Sequence, residues 1–312
     1  MVVGIIKIKL WLFVFYLMLI SEILHAERLA VVYPEIREPY RQIFLNIYKG
    51  IETSFEGQVS AYVLEAASTS DDLLLWLNQQ KMNGAIVLGN RSMRTALSLP
   101  SSTLRIVGAV LIQPDDAKLS TITLVPSPNV VFKKLVKVLP KINRVHVVYR
   151  RQNAWFIETS TKEASKHSLK ILAHGAGNAR EMAYLYRQVL NNMEPGHDVL
   201  WIAPYGRSPD KAILKVILQE AWRKKLPVIS SSLADVKRGA LFSFYTNNIE
   251  MGKELVNFWK SEQQNTTNVI NVQPTESIEI AVNLRTANHL DLFYSKKNRK
   301  AFGLMYPTPQ DR

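Results

Sequence analysis

From Arg28 onward, short apolar runs alternate with longer segments in which apolar residues recur every three or four positions. "RLAVVYP" (28–34) reads as a buried strand, and in "PYRQIFLNIYKGIETSF" (39–55) Ile43, Ile47 and Ile51 stack on one helical face. The alternation continues through strand "VSAYVLE", helix "TSDDLLLWLNQQKMN" with Thr69 and Asp71 as capping candidates, strand "GAIVLGN", helix "SMRTALSL" and strand "RIVGAV". After "STITLVPSP" (120–128) a second series begins. It runs through helix "NVVFKKLVKVL", strand "RVHVVYR", helix "WFIETSTKEASKHS", strand "LKILAHG", a helix over 178–193, strand "DVLWIAP", helix "SPDKAILKVILQEAWRKK" and strand "LPVISSS". The helix over 178–193 is the clearest: Ala179, Met182, Ala183, Tyr186, Val189, Leu190 and Met193 share one face.

Nearly continuous apolar strands separated by amphipathic helices predict parallel sheets covered on both faces. Two series of such units predict an α/β protein of two Rossmann-like lobes, with 27–121 and 245–275 in the first and 122–244 and 276–312 in the second. "STITLVPSP" would carry the chain over and "ALFSFYT" (240–246), after a charged turn closed by Gly239, would carry it back to helix "NIEMGKELVNFWKSEQ". "ESIEIAVNL" would cross a third time, ahead of a last helix "RTANHLDLFYSKK" (285–297). Three hinge crossovers leave the loops at the strand C-termini facing a crevice, where open α/β sheets bind ligands.

The first 26 residues stand apart. Lys7 and Lys9 precede an eleven-residue apolar core, Leu10–Ile20, then polar Ser21 and Glu22 and a small residue at Ala26. This is the pattern of a secretory signal peptide, with an N-terminal anchor as the reading if it is retained; the apolar run is well short of the roughly 20 residues of a spanning helix. Cleavage after Ala26 would export a chain beginning at Glu27.

Composition narrows the rest. With 47% hydrophobic and 21% charged residues, the chain is neither globally disordered nor a multi-span membrane protein. The lack of cysteine excludes disulfides, thiolate metal sites, cysteine nucleophiles and a lipidated N-terminal cysteine. The formal charge of +13 comes from residues spread over many helices, without zinc-finger spacing or a basic stripe interleaved with aromatics, so no nucleic-acid partner is expected. The one dense cluster, "KKNRK" (296–300), reads as a solvated tail. His146, His167, His174, His197 and His289 show no metal-ligand spacing, and no nucleophile elbow, phosphate loop or dinucleotide fingerprint occurs; neither an enzyme nor a metal or cofactor is expected.

The segment "LPVISSSLADVKRGALFSFYTNNIEMGKEL" and the later "ESIEIAVNLRTANHLDL" resemble the ABC-transporter substrate-binding family that includes periplasmic tryptophan and tyrosine binders. The shared pattern is carried by Pro227-Val228, Ser231, Val236, Gly239-Ala240-Leu241, Gly252, Val282-Asn283-Leu284 and Thr286-Ala287. The resemblance implies a type I periplasmic-binding-protein fold that closes on a ligand held between its lobes. It implies a monomeric periplasmic protein, not lipid-anchored, that delivers a small polar, anionic or aromatic molecule to an ABC permease. Departures from the family pattern fall at the cleft loops: Asn90-Arg91-Ser92, Arg150 to Asn153, Tyr205-Gly206-Arg207, and Tyr245 to Asn248. They leave a second reading open, a diverged sensory subunit that docks on a membrane signalling receptor.

Arg91, Arg150, Arg151 and Arg207 follow predicted strand ends and suit an anionic ligand, since a guanidinium presents a planar fork of donors; ordinary salt bridges are the competing reading. Tyr33, Tyr149, Tyr205 and Tyr245 are candidate stacking walls, or else packing between lobes. Glu35, Asn90, Asn153, Ser231 and Asn247 complete the candidate ligand contacts.

Overall fold

A computed structural model describes residues 27–38, 40–204, 211–265, 267 and 269–307. The first series gives β1 (Arg28–Pro34), α1 (Tyr40–Ser54), β2 (Gln58–Leu64), α2 (Ser70–Gln79), β3 (Gly84–Leu88), α3 (Gly89–Leu97), β4 (Leu104–Val110) and β5 (Thr121–Pro126). The second gives α4 (Pro128–Val138), β6 (Arg144–Arg150), α5 (Ala154–Ser165), β7 (Lys170–Ala176), α6 (Ala179–Asn192), β8 (Asp198–Ile202), α7 (Lys211–Arg223), β9 (Val228–Ser230), α8 (Leu233–Arg238) and β10 (Phe242–Thr246). The remainder is α9 (Asn248–Gln263), β11 (Val272–Thr275), β12 (Ile278–Asn283), α10 (Leu284–His289), α11 (Lys296–Arg299) and β13 (Leu304–Tyr306).

The strands form two sheets. The first has the order β11-β5-β4-β3-β1-β2 and is parallel throughout; the second has the order β13-β12-β10-β9-β8-β6-β7. β3 is buried along its whole length, as a strand covered by helices on both faces must be. α2 starts with a capping box between Thr69 and Asp72, so the reciprocal partner is Asp72 and not its neighbour Asp71. Gly239, at φ +126°, ends α8, a short helix where the sequence suggested only a charged turn.

Sheet membership moves the expected lobe boundaries. The boundary placed after residue 121 falls inside β5, which pairs with β4 and β11 in the first sheet, so the chain leaves that sheet after Pro126. The boundary placed before residue 245 falls inside β10, which pairs with β9 and β12 in the second sheet until Thr246. The expectation of purely parallel sheets also fails at one place, because β10 and β12 are antiparallel. The reason is geometric: β10 ends at the passage between the sheets and β12 begins there, so side by side they must run in opposite directions.

The last helix is shorter than its pattern suggested. α10 stops at His289; Asp291 has φ +58°, and the Leu292 amide bonds back to the Ala287 carbonyl at 2.9 Å. Leu290, Leu292 and Tyr294 then pack on the second lobe's core instead of continuing a helical face. β11 and β13 were not anticipated, being three or four residues long and lying at sheet edges, where Pro274 is tolerated.

α9 returns to the first sheet and lays Met251, Leu255, Val256, Phe258 and Trp259 against it. It crosses α1 backbone to backbone: a Cβ on Gly252 would stand 2.2 Å from the Ile47 carbonyl oxygen, and one on Gly50 would stand 2.0 Å from that of Ile249. Glycine at both positions is what allows this approach.

At the far end of the second sheet Asp198, fully buried, accepts hydrogen bonds from Arg144 Nε at 2.5 Å and from the Glu194 amide at 2.7 Å. His146 Nε2 lies 3.2 Å from the same carboxylate without hydrogen-bond geometry, and its ring stacks on His174 at 6.0 Å. Burial pushes both imidazoles below their usual range; Asp198 pulls His146 back in part, and His146 depresses His174 further.

Candidate functional site

The C-terminal ends of β5, β8, β9 and β10 converge on a cavity of about 230 Å³ between the two sheets. Leu111, Leu124 and Pro126 line it from the first lobe; Ala203, the three serines 230–232, Phe244 and Tyr245 line it from the second. A larger surface groove of about 510 Å³ runs between α6 and α7, but one lobe alone bounds it, so it has nothing to close against.

The serines follow β9 in a fixed arrangement. Ser230 Oγ donates to Asp235 Oδ2 at 2.7 Å and accepts from the Ser232 amide at 3.1 Å, so its polar atoms are committed within the lobe. Asp235 is buried and is also approached by Arg238 at 3.4 Å. Ser232 occupies the N-cap position of α8, yet its side chain makes no capping bond. Ser231 and Ser232 therefore bring hydroxyls to a wall that also carries Tyr245 and Thr246 beside apolar Leu111, Leu124, Ala203 and Phe244.

Behind the cavity the three passages between the sheets are tied together. The Ser127 amide donates to the Thr275 carbonyl at 2.8 Å, and the Asn247 amide to the Ser277 carbonyl at 2.8 Å. Glu254, on α9, accepts from Thr275 Oγ1 at 2.7 Å, from Ser277 Oγ at 2.7 Å and from the Glu276 amide at 2.9 Å. On the second lobe Glu279 accepts from Tyr245 Oη at 2.6 Å and from Asn247 Nδ2 at 2.6 Å, while Asn247 Oδ1 caps α9. Burial and the adjacent Glu279 carboxylate push the Tyr245 phenol well above its usual range, so it remains a neutral donor.

The sequence candidates distribute unevenly over this frame. Ser231 and Tyr245 line the cavity, and Asn247 joins it through Glu279 as a hinge residue. Tyr33 stacks on Phe44 at 6.2 Å; Glu35 and Asn90 are exposed at the ends of β1 and β3. The Arg91 guanidinium donates to the Glu65 carbonyl, and Arg151 pairs with Glu181 at 2.8 Å, so both engage their own lobe. Tyr149 and Arg150 are half-buried at the end of β6, and Asn153 is buried at the start of α5. Tyr205 and Arg207 lie outside the described residues. Sequence reasoning missed Ser232, Phe244 and the two hinge glutamates. The run of three serines after an apolar strand was a usable signal for Ser232, whereas Glu254 gives none, since it looks like any polar position on a helix.

Among solved structures, the ligand-free, open form of CD0873, a substrate binding protein with adhesive properties from Clostridium difficile, aligns over 90% of this chain and 99% of its own. The TM-score is 0.63 at 13% identity. A XylFII–LytSN complex aligns over 82% and 98% with a TM-score of 0.54 at 16% identity. An ABC domain in complex with L-Trp from Streptococcus pneumonia aligns over 90% and 100% with a TM-score of 0.50 at 14% identity. The architecture is the type I periplasmic-binding-protein fold. No curated protein matches the sequence. Residues 100–300 match the family model described as ABC transporter substrate binding protein, and the chain belongs to that family.

Proposed function

We propose that the protein binds a small molecule between its lobes and presents the closed form to an ABC importer in the periplasm. The carrying observation is the 230 Å³ cavity whose walls come from both sheets, backed by three hydrogen-bonded passages. The moving bodies are 27–126 with 248–275, and 128–246 with 278–307. A ligand that touches both walls binds the closed arrangement better than the open one and shifts the population toward it. The wall chemistry, the hydroxyls of Ser231, Ser232, Tyr245 and Thr246 beside Phe244, Leu111 and Leu124, favours a small ligand that combines several hydrogen-bonding groups with an apolar or aromatic part.

A second reading is a binding-protein-like subunit that docks on a membrane signalling receptor. It is favoured by the departures at the cleft loops and by the likeness to a XylFII–LytSN complex.

A thermal-shift screen of the chain from Glu27 onward tests the first reading, with amino acids, organic acids, nucleosides and aromatic metabolites as probes. A ligand at a hundred times its dissociation constant stabilises the fold by roughly 2.7 kcal/mol, a rise of several degrees. No shift across the panel would turn the assignment to the receptor-docking reading.

A further inference from the structure

The chain's positive charge is not shared between its lobes. The described residues of 127–246 and 277–307 carry 24 Lys and Arg against 9 Asp and Glu, a formal +15. Residues 27–126 and 247–276 carry 11 against 14, a formal −3.

Part of this excess gathers at one corner. Tyr294 Oη donates to the Val138 carbonyl at 3.2 Å, pinning the C-terminal segment against the end of α4, and Arg299 Nε donates to the Tyr294 carbonyl at 3.1 Å. The contact joins the segment that carries Lys296, Lys297, Arg299 and Lys300 to the end of α4, which carries Lys137 and is followed by Lys141, all of them exposed. Among the described residues these five lysines take part in no ion pair. Phe293 stands beside them with 79% of its surface exposed, the highest value for a large apolar side chain among the described residues. A groove of about 330 Å³ adjoins it, lined by Leu139, Ile142, Leu290 and Leu292 together with Lys141 and the Lys225–Asp291 ion pair. The groove also includes Gly196 and Pro227, just ahead of β8 and β9, whereas the ligand cavity lies at the opposite ends of those strands.

We propose that this end of the second lobe docks on an anionic lipid bilayer. Exposed lysines outside any ion pair offer charge without a fixed pattern of directed bonds. Mobile phosphate headgroups can gather beneath such a field, whereas a folded acidic protein needs its carboxylates matched in position. A bare phenyl ring among basic residues adds what a polyanion in solution does not use, an apolar group that enters the interface at headgroup depth. Docked in this way, the protein keeps its ligand cavity turned from the membrane, and the contact does not depend on any solute.

The test is sedimentation of the chain from Glu27 onward, which contains both sheets, with vesicles of phosphatidylcholine alone or mixed with phosphatidylglycerol in equal parts. Binding is expected only to the mixed vesicles at about 0.1 M salt and is lost toward about 1 M, as the screening length falls from about 10 Å to about 3 Å. Removing two charges with Lys296→Gln and Lys297→Gln lowers affinity about 25-fold, at about fivefold per charge. Phe293→Ser weakens binding while leaving its salt dependence intact. Equal binding to both vesicles, or no effect of the lysine pair, would overturn the proposal. So would binding to soluble polyglutamate without binding to vesicles, which would point to an acidic protein partner.

Discussion

The Glu254 carboxylate and the Thr275 hydroxyl lie 2.7 Å apart, joining a helix of the first lobe to the strand end from which the chain passes to the second. Thr275 is fully buried, and its carbonyl and that of Ser277 hold the other two passages. One carboxylate thus fixes the crossing to which the other two are bonded. Glu254→Ala removes three hydrogen bonds to a charged acceptor and leaves a buried hydroxyl short of its partner. It should lower stability by about 2–4 kcal/mol in urea unfolding. It should also broaden the distance distribution between spin labels placed on the two lobes. An unchanged distribution would mean that the hinge is set by the backbone bonds alone.

The α1–α9 crossing gives a second test. Gly252→Ala directs a methyl at the Ile47 carbonyl, and Gly50→Ala directs one at the Ile249 carbonyl; neither backbone group can swing aside. Each substitution should cost about 1–3 kcal/mol or more. Once one has forced the helices apart, the second should cost less, so the double variant falls short of the sum. Strict additivity in chemical denaturation would show that the two contacts are relieved separately.

The paired histidines set a pH dependence. Because burial holds His146 and His174 below the ordinary 6.5, the unfolded chain binds more protons than the folded one once the pH drops below that value. Stability is therefore fully present above about pH 6.5 and declines as the pH falls toward the folded-state values. His174→Gln should flatten the stability profile between neutral and mildly acidic pH. A slope that stays the same would assign the acid sensitivity to other groups.

The cavity is small enough to be filled by one side chain. Ser231→Trp, whose position lines the 230 Å³ space, should abolish the thermal shift given by any ligand of the parent protein while leaving the unliganded midpoint within a few degrees. Arg91→Ala should leave ligand affinity nearly unchanged, since that guanidinium is bonded to the Glu65 carbonyl. Calorimetry on the two variants separates a ligand held by the cavity from one held by the rim arginines.

Periodicity alone determined most of the elements here. Ile43, Ile47 and Ile51 on α1, and the apolar run of β3, name their own buried faces because helix and strand repeats differ. The helix over 248–263 was readable to the residue, whereas the role of Asn247 as its cap came only with the structure. Strand pairing was not readable. Whether Thr121–Pro126 is a linker or a strand depends on β4 and β11 lying beside it, and β11 comes about 150 positions later in the chain. The site divided in the same way. Ser231 and Tyr245 reach the cavity because they lie at the C-terminal ends of β9 and β10, which the apolar runs already marked. Arg91 and Arg151 do not, because a guanidinium's partner is chosen in space, and the Glu65 carbonyl and the Glu181 carboxylate were nearer than the cavity. Glu254 and Glu279 show the limit most plainly: each looks like a solvent-facing position in its own element and becomes a hinge residue only when the second and third crossings are brought side by side.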